Sequence, residues 1–239
     1  MIEIIPAILR KSFKDIERDL ERVHGAAHRV QIDVVDGRFA HGTTWPYHDR
    51  ESFDKIVAEE NGLPHWQDFD FEFDLMIEDP HLRVMDFVRA GASRVVIHAD
   101  SHGAVEGLRK VADLREDDGR GAFSVSTGLA LLPNMQPDVL DSFDTLYDYV
   151  QVMGIDHVGK QGQPFDDHAL ALIERLRRRY PDLPIQVDGG VSAEHIPALV
   201  RAGATSLIVG SAIFGADDAI AAYKALYTEA NAPGRGQGS

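Results

Sequence analysis

The stretch from Ile185 to Phe214, IQVDGGVSAEHIPALVRAGATSLIVGSAIF, constrains the fold more than any other. A short apolar run ends in Asp188-Gly189-Gly190, and an amphipathic segment follows from Ala193 to Ala202. A second apolar run ends in Gly210-Ser211 before another helix begins. The pattern is strand, tight turn, helix, given twice. Glycine at each strand end lets main-chain N–H groups approach a ligand with no Cβ in the way, and the helices that follow add positive dipole ends. Phosphate suits that geometry. The plainer alternative is a pair of turns that only make room for helices. In a (β/α)8 barrel the loops after the last two strands are the usual phosphate site, and catalytic side chains stand at the C-terminal ends of other strands.

The rest of the chain alternates in the same way. Strands are predicted at Ile2 to Leu9, Val30 to Asp33, Phe69 to Ile77, Arg94 to His98, Ala122 to Ser126 and Tyr149 to Met153. Between them helices are predicted from Ser12, as N-cap, to Val23, near Glu51 to Glu60, from Pro80 to Ala90, Val105 to Leu114 and Asp166 to Arg179, with a short helical piece at Pro133 to Asp141. The last helix runs from Asp217 to Ala230. Such alternation means parallel βαβ units, in a closed barrel or a doubly wound sheet. The paired glycine turns favour the α/β class with a (β/α)8 TIM barrel, as one domain over 1–230 with a disordered tail over 231–239. An internal echo agrees: Arg89-Ala90-Gly91-Ala92 recurs as Arg201-Ala202-Gly203-Ala204, each glycine suiting a left-handed helix cap.

Composition narrows the partners. The 239-residue chain carries a net charge of −15 with a pI near 5.0, which argues against nucleic acid and anionic membrane. An anionic ligand must then be held locally by backbone amides. The chain has no cysteine and no long apolar run, so a soluble protein of the reducing cytoplasm is expected.

Strand alternation locates the chemistry. Gln31 and Asp33 share one face, as do Asp70, Glu72, Asp74 and Met76, while Phe71, Phe73, Leu75 and Ile77 face the helices. Asp188, His98 and Met153 are expected to point inward too. Carboxylates at Asp33, Asp74 and Asp188 cannot all stay ionised in a partly dry site: a metal binds them or at least one keeps a proton.

Pro6-Ala7-Ile8-Leu9, Gln31-Ile32-Asp33-Val34-Val35-Asp36-Gly37-Arg38-Phe39, Asp74-Leu75-Met76-Ile77, Val187-Asp188-Gly189-Gly190-Val191 and Gly210-Ser211-Ala212-Ile213-Phe214 occur in that order. Together they resemble the ribulose-phosphate 3-epimerase family, from about Ile2 to Gly215. The resemblance implies a ribulose-phosphate-binding barrel that inverts C3 of a ketose phosphate through an enediolate, with Asp33 and Asp188 as acid/base pair. It implies Met76 and Met153 beside the planar intermediate, with Val35 where a further methionine is usual. Phosphate would be bound at Gly162, Gly189, Gly190, Gly210 and Ser211, and the protein would be a homo-oligomer. A divalent metal would be held at Gln31, Asp33, Asp74 and Asp188.

The departures bear on the metal. Where the family has two histidine ligands this chain has Gln31 and Asp74, and the early serine is Ala7. An oxygen-only set favours Mg2+ or Mn2+ over Zn2+. The alternative is a noncatalytic or repurposed sugar-phosphate-binding barrel that has lost the metal site. Related decarboxylases and hexulose-phosphate synthases carry a lysine where Met76 stands, which weighs against their chemistry. Lys160 is the one candidate for a Schiff base, though a surface or phosphate-helping lysine fits its Gly-rich loop, Gly154 to Pro164, better. His157, in the same loop, is a candidate to add charge near the phosphate. His41, His48 and His65 lie beside Trp45, Tyr47 and Trp66, either as a rim above the pocket or as cover for the core's edge.

Overall fold

The computed structural model describes residues 1–117, 125–144, 146–160 and 162–232. Eight parallel strands close into a barrel in sequence order. They are β1 (Glu3–Ile8), β2 (Arg29–Val35), β3 (Asp70–Met76), β4 (Ala92–His98), β5 (Ser126–Leu131), β6 (Tyr149–Met153), β7 (Ile185–Asp188) and β8 (Ser206–Val209). Around them lie α1 (Phe13–Val23), α2 (Arg50–Val57), α3 (Val84–Arg89), α4 (Ala104–Asp117), α5 (His168–Arg179), α6 (Ile196–Ala202), α7 (Ser211–Phe214) and α8 (Ala219–Ala230). Among the described residues no helix is long and apolar enough to cross a membrane.

Local chemistry accounts for several boundaries. Ser12 caps α1 by accepting the Asp15 N–H at 3.2 Å, and Asp218 caps α8 by accepting the Ala221 N–H at 2.9 Å. The echoed glycines both take left-handed backbone after their helices, with φ 100° at Gly91 and 112° at Gly203. The outward residues Phe71, Phe73, Leu75 and Ile77 of the third strand and its end are buried against the helices. Trp45 is wholly buried among Phe13, Phe53 and Phe73, so it belongs to the core and not to a rim.

Four expectations shift. The fifth strand, expected at Ala122 to Ser126, runs from Ser126 to Leu131, and 118–124 lie outside the described residues. Its inward positions are the small residues Gly128 and Ala130, which weaken the strand signal. They are small because the Tyr149 ring crosses the barrel there: a Cβ on Gly128 would come within 2.5 Å of it. The helix from Pro80 is split into a 3-10 turn, Pro80–Leu82, and α3, while the piece expected at Pro133 is a 3-10 turn over Pro137–Ser142. Asn231, placed in the tail by composition, is held to Ile2 by hydrogen bonds of 2.8 and 2.9 Å, and the tail's remainder from 233 lies outside the described residues.

The barrel interior is polar. A (β/α)8 core is usually filled by branched aliphatic side chains. Here Gln31, Glu72, Gln151 and Gln186 are wholly buried in it. Gln186 donates to Glu72 at 2.6 Å and to Gln151 at 2.8 Å, and the Tyr149 hydroxyl donates to Glu72 at 2.7 Å. Arg94 reaches Glu72 at 3.0 Å with its guanidinium over the Tyr149 ring.

Candidate active site

At the C-terminal ends of the strands a cavity opens, lined by Asp33, Met76, Met153, Gly162, Asp188, Gly189, Gly190, Gly210 and Ser211, with Lys160 at its mouth. The strand register explains this convergence. Asp33 lies opposite Asp74, Val35 opposite Met76, and Met153 opposite Asp188. The C-terminal end of every strand faces the same way, so side chains far apart in sequence share one floor. Gly190 has φ 67°, and a Cβ there would come within 2.9 Å of the Phe165 backbone, so this turn requires glycine.

Beneath the cavity lies a connected set of polar groups. The Gln31 amide donates to Asp33 at 2.9 Å and more weakly to Asp188 at 3.5 Å. His98 Nε2 lies 3.0 Å from one oxygen of Asp74, and the Gln151 amide donates to the other at 3.0 Å. Asp74 and Gln31 are wholly buried behind the floor and contribute no surface to the cavity. Burial, then repulsion from Asp188 and Asp74, pushes the Asp33 carboxyl well above the usual range. Burial, then Asp74, raises Asp188 to about 7, against the pull of the Gly189 N–H and the Gln31 amide. At His98 burial opposes the imidazolium, but the Asp74 carboxylate outweighs it and the pKa is raised. Asp33 and Asp188 therefore carry fewer than two charges between them at neutral pH.

One carboxylate oxygen from each of Asp33, Asp74 and Asp188 lies within 4.8 Å of the other two. This donor set fits a hard divalent cation such as Mg2+ or Mn2+, and lacks the nitrogen or sulfur that zinc prefers. Gln31 now turns its NH2 to the carboxylates. A cation there would favour the flipped amide, whose oxygen is a fourth ligand.

The residues that the family resemblance assigns to the site all lie at the cavity or directly behind it. His157 does not: it lines a neighbouring groove with Phe39 and His41. His65 lies at the opposite end of the barrel beside Glu21. Sequence reasoning passed over Gln151 and Gln186, although their phase with Met153 and Asp188 on short strands marks them as inward polar residues.

Known proteins are similar to this chain along almost its whole length. The model of the ribulose-phosphate 3 epimerase family matches residues 3–214. Ribulose-phosphate 3-epimerase of Bacillus subtilis is 31% identical over 225 residues, covering 91% of this chain and 94% of the relative. The chloroplastic ribulose-5-phosphate-3-epimerase of Arabidopsis thaliana is 28% identical over 230 residues, covering 94% of this chain and 76% of the relative. A solved 3-hexulose-6-phosphate synthase from Salmonella typhimurium superposes with a TM-score of 0.68 at 16% identity, covering 96% of this chain and 98% of that one, a likeness of fold.

Proposed function

The chain belongs to the ribulose-phosphate 3-epimerase family, and from that premise we propose that it inverts C3 of a ketopentose phosphate such as ribulose 5-phosphate, with Asp33 and Asp188 as the acid/base pair. The observation that carries this reading is the meeting of those two carboxyls on the floor of one cavity, with depressed acidity in both. Two adjacent carboxyls that cannot both ionise divide into one base and one acid. The ionised member takes the C3 proton from one face of the substrate, leaving an enediolate across C2 and C3. The protonated member then delivers its proton to C3 from the other face. C3 is inverted, the two aspartates have exchanged roles, and proton exchange with water resets them.

The remaining residues support this chemistry. Met76 and Met153 wall the cavity with polarisable, adaptable surface against a planar intermediate. Backbone N–H groups at Gly190, Gly210 and Ser211 bind the phosphate, with Gly162 and Lys160 above it. A cation held by Asp33, Asp74, Asp188 and Gln31 would supply Lewis-acid stabilisation of negative charge on the substrate oxygens. His98 and Gln151 fix the Asp74 carboxylate in place.

The test is deuterium incorporation at C3 of ribulose 5-phosphate in D2O, with metal-stripped protein and after adding Mg2+ or Mn2+. Exchange with formation of xylulose 5-phosphate, lost in Asp33→Asn and Asp188→Asn, is the expected outcome. The second reading, a sugar-phosphate-binding barrel without this reaction, draws on Gln31 and Asp74 at the family's histidine positions. Saturable sugar-phosphate binding without exchange under either metal would select it.

A further inference from the structure

At the N-terminal end of the barrel, away from the cavity, two pairs of residues meet. Glu21 and His24 stand three apart on the last turn of α1 and its cap. His65 and Asp68 stand three apart in the turn before β3, closed by an Asp68 N–H to His65 carbonyl hydrogen bond of 2.8 Å. The pairs cross. His65 Nε2 lies 2.9 Å from Glu21, and His24 Nε2 lies 3.0 Å from Asp68. The two imidazole rings stack with centroids 4.2 Å apart. One donor atom from each of Glu21, His24 and His65 lies within 4.8 Å of the other two. His65 holds φ 54°, a conformation uncommon for a residue with a Cβ, and so it aims its ring at α1.

We propose that Glu21, His24, His65 and Asp68 form a binding site for a divalent transition ion, with zinc the best fit. Two imidazole nitrogens and the Glu21 carboxylate already converge as zinc donors, and Asp68, now paired with His24, can turn to supply a fourth and complete a tetrahedron. Metal–ligand distances of about 2.1 Å put neighbouring donors roughly 3.4 Å apart. The present nitrogen–oxygen contacts are a few tenths of an ångström shorter, and side chains left 26 to 65% exposed have room to make that adjustment. The Phe69 ring lies beside both imidazoles and gives them an apolar backing.

Two other clusters differ in ways that isolate this one. Asp79, His81 and His102 also converge, but the Arg38 guanidinium sits 3.0 Å from Asp79 and opposes a cation. The cavity carboxylates offer oxygen only. Among the described residues, the site at Glu21 is the imidazole-rich one without a cationic side chain bonded to it. It ties the end of α1 to the turn before β3, and its role is structural, independent of the reaction proposed above.

The test uses the metal-stripped full chain titrated with Zn2+ by calorimetry in excess Mg2+, which occupies the oxygen-only set. One Zn2+ should bind per chain and raise the thermal midpoint, since a ligand of the folded state alone stabilises it. In His24→Ala/His65→Ala the affinity should fall by roughly 100-fold or more and the thermal shift vanish, because half the donors are gone. Cobalt in place of zinc should give the visible absorption of a four-coordinate ion in the wild type and lose it in that variant. His81→Ala/His102→Ala should keep all three signals. The milder His24→Gln, at a partly exposed position, should weaken zinc in the same direction. Zinc binding that is absent from the wild type, or unchanged in the His24/His65 variants, overturns the proposal.

Discussion

At the residue scale, Asp188 holds a proton more tightly in the folded chain than in the unfolded one. Burial and the neighbouring Asp74 carry its pKa from 3.8 to about 7. For an acid raised in this way the proton contributes stability that is fully present below about pH 4 and is lost as pH rises through about 7. A tenfold change in acidity between the folded and unfolded chain corresponds to about 1.4 kcal/mol. Asp188→Asn removes the titration, so without added metal it should exceed the wild type in stability by ~1–3 kcal/mol at about pH 8 and by much less near pH 4. Urea unfolding at the two pH values checks this; a gap between variant and wild type that stays constant would show that Asp188 is not the group responsible. Asp33 and Asp188 were both readable as inward, strand-end residues. That Gln31 spans the pair was not, because side-chain contacts across a barrel depend on which strands oppose each other.

At the scale of elements, strand alternation named the inward face of β3 correctly, yet it could not tell what Glu72 does there. The structure gives it the role of counter-ion to Arg94, from the next strand, with Tyr149 and Gln186 completing its hydrogen bonds. Removing one partner of a buried ion pair leaves an uncompensated charge. Glu72→Ala should therefore cost ~3–5 kcal/mol of stability, as seen by chemical denaturation. Sugar-phosphate affinity should hold, since Glu72 does not line the cavity. A loss below ~1 kcal/mol would mean that Arg94 escapes into the groove it lines at the barrel's lower end. The fifth strand was misplaced for a related reason. Its inward residues are small to accommodate a ring from β6, a demand that originates two elements away.

For the whole molecule, closure matters most. β1 pairs with β8, and Asn231 clamps the end of α8 to Ile2, donating to its carbonyl and accepting from its N–H. Asn231→Ala should cost ~1–3 kcal/mol, because it leaves two partly buried backbone groups without partners. Thermal or urea unfolding would read this directly, and an unchanged midpoint would mean that water replaces the amide at no loss. Composition alone assigned Asn231 to the tail, since nothing local distinguishes a residue that docks onto the other end of the chain. By itself the sequence determined the alternation of strand and helix, the glycine turns, the inward phase of the aspartates and the family, because these rest on local periodicity and motif order. Only the tertiary structure decided the pairings within the polar interior, the shared floor of Asp33 and Asp188, and the distant cluster at Glu21. Each of these depends on distances between residues tens to hundreds of positions apart, which barrel closure sets and local pattern does not encode.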